Sequence, residues 1–119
     1  MKQHCDDLRE RTKRFALRVV RLYRTLPPTD EARILGKQLL RAATSVGANY
    51  RAACRARSRA EFIAKLGLVL EESDETVFWL ELLADAEIAN REKLLSLRNE
   101  ADEITSIFVT SLRTAKGIA

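Results

Sequence analysis

Apolar residues recur every three or four positions along most of the chain, which is the period of an α-helix with one buried face. Leu8, Thr12, Phe15, Val19, Leu22 and Leu26 step by 4 and 3. They predict a first helix over about 6–26, with Asp6 and Asp7 at the positive end of its dipole. A second strip of Ala16, Leu17, Val20 and Tyr23 widens the core face or meets another subunit. Pro27 and Pro28 end the helix, because a residue before proline is pushed out of the α region. Thr29 or Asp30 caps a second helix over about 30–57, which places Leu35, Leu39, Ala42, Ala43, Val46, Tyr50 and Ala53 on one side.

Ser58 and Glu61 have the spacing of a capping box and open a third helix over about 59–87. Its inner side reads as Phe62, Leu66, Val69, Leu70, Val77, Leu80 and Ala84, and its outer side carries Glu71, Glu72, Asp74, Glu75, Glu81 and Asp85. Asn90 caps a fourth helix over about 90–116, with Leu94, Leu97, Ala101, Ile104, Phe108 and Ala115 inward and Gly117 as its C-cap. Four helices with three short connections predict a single all-α domain, 1–119, folded as an up-down-up-down four-helix bundle. Gly47 inside the second helix costs about 1 kcal/mol relative to alanine. Either the helix is interrupted there or another helix packs closely; Thr44, Ser45, Gly47, Ala48 and Ala52 keep a small strip, which favours close approach of a helix from this chain or from a second copy.

Composition agrees with helices: 4 Gly and 2 Pro are too few for a turn-rich β fold. Charge is distributed unevenly about a net +4. Residues 1–29 hold 8 basic and 3 acidic side chains, and residues 30–57 hold 6 and 2. Residues 58–89 reverse this with 2 and 8, and residues 90–119 hold 5 and 4. A basic first half beside an acidic third segment suits an anionic partner, and equally suits pairing of the halves within or between subunits.

Catalytic chemistry finds little support. The single histidine, His4, lies in a terminus expected to fray, so nucleophilic catalysis lacks its usual base. Cys5 and Cys54 have no C-x-x-C spacing, and a reduced, cytoplasmic protein follows. Cys54 near Arg51, Arg55 and Arg57 reads either as an activated thiol or as a small buried residue. Glu71, Glu72 and Glu75 share helix faces, but a di-metal bundle also needs Glu-x-x-His pairs, which the chain lacks. No metal or cofactor is expected, nor any membrane span, since no apolar run approaches about 20 residues.

The basic stretch is the candidate site. No acidic residue occurs between Lys37 and Ala60, while Arg41, Arg51, Arg55, Arg57 and Arg59 do. Arginine forks suit phosphate oxygens, and small neighbours let a nucleic-acid backbone come close. Tyr50 alone is no stacking platform for bases, so the expectation is backbone contact without base reading. Arg11, Arg14, Arg18 and Arg21 repeat at 3, 4 and 3 along the first helix, a like-charge ridge that costs about 0.2–0.5 kcal/mol per pair. It reads as a solvated face, or as a second phosphate-tracking surface through Arg14, Arg18 and Arg21.

This central stretch resembles a four-helix bundle family that includes proteins encoded in intervening sequences of bacterial large-subunit ribosomal RNA genes. The family pattern reads approximately Q-L-x-R-A-A-x-S-I-x-A-N-I-A-E-G, then R-x-S-x-x-E-F. Gln38, Leu39, Arg41, Ala42, Ala43, Ser45, Ala48 and Asn49 match in register, followed by Arg57, Ser58, Glu61 and Phe62 with small spacing variation. Leu66 and Glu75 fall where the family places a leucine and an acidic residue. The chain departs from the pattern at Ala52 and Ala53, which replace Glu-Gly, and at Glu72, which replaces a small serine. The resemblance implies a left-handed bundle assembled as a homopentamer, and kinship with the accessory variability proteins of diversity-generating retroelements. Those bind nucleic acid and a reverse transcriptase.

Together these expectations describe a non-enzymatic, oligomeric bundle. It would hold RNA or DNA backbone through Arg41, Arg51, Arg55, Arg57 and Arg59, with Arg14, Arg18 and Arg21. It would act as an accessory to a reverse transcriptase or an RNA-processing system. The alternative is a structural or protein-interaction module whose acidic third and basic second helices pair between subunits, with no nucleic-acid role.

Overall fold

The computed structural model describes residues 2–117, with side chains from Cys5 onward. The reading of His4 lies outside the described side chains. Among the described residues the chain forms four helices: α1 (Lys2–Arg24), α2 (Asp30–Cys54), α3 (Arg59–Asp85) and α4 (Arg91–Lys116). Each packs on its sequence neighbour and α4 closes on α1, in an all-α bundle of 45 × 24 × 21 Å. The α1–α4 seam is the loosest of the four. No helix among the described residues is long and apolar enough to cross a membrane.

The caps explain most boundaries. Thr29 Oγ1 accepts from Ala32 N–H at 3.2 Å, Ser58 Oγ from Glu61 N–H at 3.1 Å and Asn90 Oδ1 from Lys93 N–H at 3.0 Å. Each satisfies one of the donors that a helix start leaves open. The Glu61 carboxylate does not close the predicted box but lies 4.0 Å from Arg57 Nε. Gly117 sits in the left-handed region at φ 74° and closes α4. The helix α3 ends in a Schellman turn, with Glu87 N–H on Ala84 O and Ile88 N–H on Leu83 O. Glu87 takes its left-handed position at φ 56°.

Three boundaries differ from the periodicity. The helix α1 begins at Lys2, so Asp6 and Asp7 stand beyond its first turn, where the dipole acts little. Asp6 instead pairs with Arg9 at 2.6 Å. At its other end α1 tightens, with Thr25 and Leu26 N–H groups bonding three residues back. The helix α2 stops at Cys54 rather than 57, because Ser58 must be extended (φ −152°, ψ 162°) to cap α3 and residues 55–58 make the reversal.

Leu8, Phe15, Val19, Leu22, Leu39, Val46, Tyr50, Leu66, Leu80, Leu94, Ile104 and Phe108 fill the core, with the Tyr50 and Phe108 rings 5.4 Å apart. The inward face of α3 is rotated from the predicted one. Ser73, Thr76 and Leu83 are buried, whereas Phe62, Leu70, Val77 and Ala84 are half-buried. Hydroxyls can take inner positions because Ser73 bonds Thr105 at 2.6 Å and Thr76 bonds Glu72 O at 2.8 Å.

Gly47 also differs from expectation. The helix α2 runs through it unbroken, and a Cβ there would meet Thr12 of α1 at 3.7 Å, an ordinary contact. The close approach belongs to Gly36, where a Cβ would lie 2.5 Å from Leu26 Cδ1 and 3.1 Å from the Tyr23 ring.

Candidate nucleic-acid interface

At the end of the bundle where α2 turns into α3, Arg51 and Arg55 are exposed on one side of α2, four residues apart. Neither guanidinium group makes a hydrogen bond or ion pair among the described residues. Arg57 projects from the turn with its side chain 91% exposed, at 4.0 Å from Glu61. These three guanidinium groups present positive charge to solvent. Arg59 does not join them: its Nε donates to the Ala115 carbonyl, a cation placed at the negative end of α4.

Arg41 is committed as well. Its Nη2 donates to Glu75 at 2.7 Å, its Nη1 to Glu72 at 3.2 Å and its Nε to Gln38 at 3.2 Å. The Glu75 hydrogen bond raises the guanidinium pKa above its ordinary value. Two of the three carboxylates that share faces in the sequence, Glu72 and Glu75, therefore meet a cation of α2, and Glu71 is exposed. Among the described residues no group of three or more His, Cys, Asp or Glu converges.

The α1 ridge divides in two. Arg11 is held by Glu100 and lies 3.4 Å from Glu103. Arg18 Nη2 donates to Ser96 Oγ at 2.8 Å. These two face α4, whereas Arg14 and Arg21 are exposed and make no hydrogen bond or ion pair among the described residues. Arg21 and Arg55 stand at opposite ends of the bundle, about 25 Å apart along its axis at 1.5 Å per helical residue. The two basic surfaces that the sequence marked are thus separate.

Cys54 is not the activated thiol that nearby arginines suggested. Burial pushes its pKa up to about 12, with a hydrogen bond from the Cys54 S–H to Cys5 adding to the shift. Tyr50 Oη donates to Cys5 Sγ at 3.8 Å, and burial raises the phenol as well. This cluster lies at the bundle end between α1 and α2, and the raised pKa keeps Cys54 as the thiol rather than the reactive thiolate at neutral pH. Its pairing was invisible in sequence, since Cys5 and Cys54 lie on different helices.

The class defined by this fold and surface is a small all-α four-helix bundle carrying basic patches. The family model of the 23S rRNA-intervening sequence protein matches residues 7–110, and the chain belongs to that family. It is also similar to a crystal structure of a protein of unknown function from the S23 ribosomal protein family of Bacteroides thetaiotaomicron. That protein is 39% identical, with a TM-score of 0.85 over 95% of this chain and 99% of the other. No curated protein matches the chain.

Proposed function

We propose that the chain is a non-enzymatic, cytoplasmic bundle that assembles with its own copies and holds nucleic-acid backbone at the Arg51, Arg55 and Arg57 end. The supporting observation is that the Arg51 and Arg55 guanidinium groups make no hydrogen bond or ion pair among the described residues, while Glu72 and Glu75 of α3 are occupied by Arg41. Unpaired guanidinium groups bind phosphate oxygens without having to break an internal ion pair first. The family's name links its members to intervening sequences of 23S rRNA, which favours RNA. An accessory role beside a reverse transcriptase or an RNA-processing system fits such sequence-independent binding. Arg14 and Arg21 extend the reading to a second surface, reached only by a strand that crosses the bundle.

Self-assembly is supported by apolar side chains on the outer faces of α2 and α3. Ile34 is 62%, Leu68 54% and Phe78 55% exposed. Phe78 packs edge-on against Trp79, whose buried Nε1 has no acceptor. A second copy laid over this surface would cover them, and a pentameric ring agrees with the family resemblance.

Binding to RNA should weaken steeply with salt, because neutralised phosphates release their counterions. The triple change Arg51→Ser, Arg55→Ser and Arg57→Ser should abolish binding while sedimentation shows the same oligomer. Unchanged affinity between low and high salt would overturn the reading. The alternative, a structural module held by α2–α3 charge pairs between subunits, predicts instead that the same variant falls apart. The Arg41 pairs favour that alternative in part, yet they close within one chain.

A further inference from the structure

The loose seam between α1 and α4 opens into a cavity of about 290 Å³ near the end of the bundle opposite Arg55. Its walls are Arg18, Arg21, Thr25, Lys93 and Ser96, over a floor of Leu22 and Leu97. Three cationic side chains line it and no carboxylate does. Lower on the same seam the ridge is neutralised, because Arg11 is taken by Glu100 and Glu103. At the cavity the partner is a neutral hydroxyl: Arg18 bonds Ser96 Oγ, which fixes the guanidinium without cancelling its charge. The Arg21 guanidinium and the Lys93 ammonium make no hydrogen bond or ion pair among the described residues.

We propose that this cavity binds a phosphomonoester carrying a small organic group, of the size of one nucleoside 5′-monophosphate. Arg18, Arg21 and Lys93 surround the dianionic phosphate, for which a fixed guanidinium fork and a mobile ammonium are complementary. Leu22 and Leu97, core residues that line the cavity, supply the apolar contact for the organic group. The Thr25 hydroxyl donates to Leu22 O and Ser96 Oγ accepts from Arg18, which leaves Thr25 able to accept from, and Ser96 to donate to, a sugar hydroxyl. The volume lies at the small end of ligand pockets, about 300–1,000 Å³, so it admits one nucleotide unit and not a duplex. The unit is either a free nucleotide or the phosphorylated 5′ end of a strand. The cavity shares no residue with the Arg51, Arg55 and Arg57 surface, so either assignment can fail without the other.

Calorimetry on the full chain tests this with uridine 5′-monophosphate, uridine and inorganic phosphate. The monophosphate should bind saturably at one site per chain, at least tenfold tighter than phosphate, and uridine should not bind. Arg21→Gln with Lys93→Gln, both exposed, should weaken the monophosphate at least tenfold while the thermal melt is unchanged. Arg51→Ser with Arg55→Ser should leave it as in the parent. A 5′-phosphorylated oligoribonucleotide compared with its 5′-hydroxyl twin identifies the source: tighter binding of the former assigns a strand end, equal binding a free nucleotide. No saturable binding of either phosphorylated ligand, uridine binding as well as its monophosphate, phosphate binding as tightly, or an unaffected Arg21/Lys93 variant would each overturn the proposal.

Discussion

Arg11 and Glu100, 89 positions apart in the chain, form a two-pronged ion pair across the α1–α4 seam. Arg11 Nε donates to Oε2 at 2.9 Å and Nη2 to Oε1 at 2.7 Å. The guanidinium holds the Glu100 carboxyl below its ordinary value of 4.5, against the opposing effect of burial. Because this seam is loosely packed, the pair is one of the few links that fix α1 against α4.

A depressed carboxyl pKa contributes stability that is present above the unfolded value and lost as pH falls through the folded one. Glu100→Gln should therefore cost about 1 kcal/mol at pH 7, a magnitude limited by partial exposure. The gap between parent and variant should close below pH 4.5 as Glu100 takes up its proton. Urea denaturation at pH 7, 5, 4 and 3 measures it, and a gap no smaller at pH 3 than at pH 7 would contradict the assignment.

The two α2 glycines should respond in different ways. Gly47→Ala gains about 1 kcal/mol of helix propensity and adds only an ordinary contact with Thr12. Gly36→Ala gains the same propensity but displaces the Leu26 methyl and presses on the Tyr23 ring, an overlap of the kind that costs about 1–3 kcal/mol. Paired urea titrations should place Gly47→Ala above the parent and Gly36→Ala at least about 1 kcal/mol below Gly47→Ala.

Glu87 occupies a left-handed position where a side chain costs about 1–2 kcal/mol. Glu87→Gly keeps the Schellman hydrogen bonds and should raise unfolding free energy by about 1 kcal/mol. A melting temperature no higher than the parent's would count against this.

The Cys54 thiol, pushed up to about 12 from 9.0, is almost wholly protonated at pH 8. Iodoacetamide should label it at least about a hundredfold more slowly in the native chain than in urea, since only thiolate reacts. Peptide mapping of labelled samples follows Cys54 directly, and equal rates in the two states would refute a buried thiol.

The helix starts at Thr29, Ser58 and Asn90 and the stop at Gly117 were legible in sequence, because a cap depends on residues within one turn of itself. The α1, α2 and α4 core lines were legible for a similar reason, as each carries one dominant apolar stripe. The α3 line was not. That helix is apolar on several sides, with Leu68 and Phe78 outward and Ser73 and Thr76 inward. Only the hydroxyl of Thr105 on α4 makes the Ser73 position acceptable. The central family motif was likewise visible, and it led to the family that residues 7–110 match.

The candidate site was half legible. Sequence placed the arginines on helix faces but could not say which carboxylates stand opposite them. Arg41 and Arg55 look alike along α2, yet one faces Glu72 and Glu75 and the other faces solvent. Sequence by itself determined four helices, the caps that start α2, α3 and α4, and an excess of positive charge, because periodicity and capping are local properties. Tertiary structure decided which charges remain available and where the seam opens. An ion pair forms only between groups that packing brings within about 4 Å, and no spacing along one helix encodes what the next helix presents.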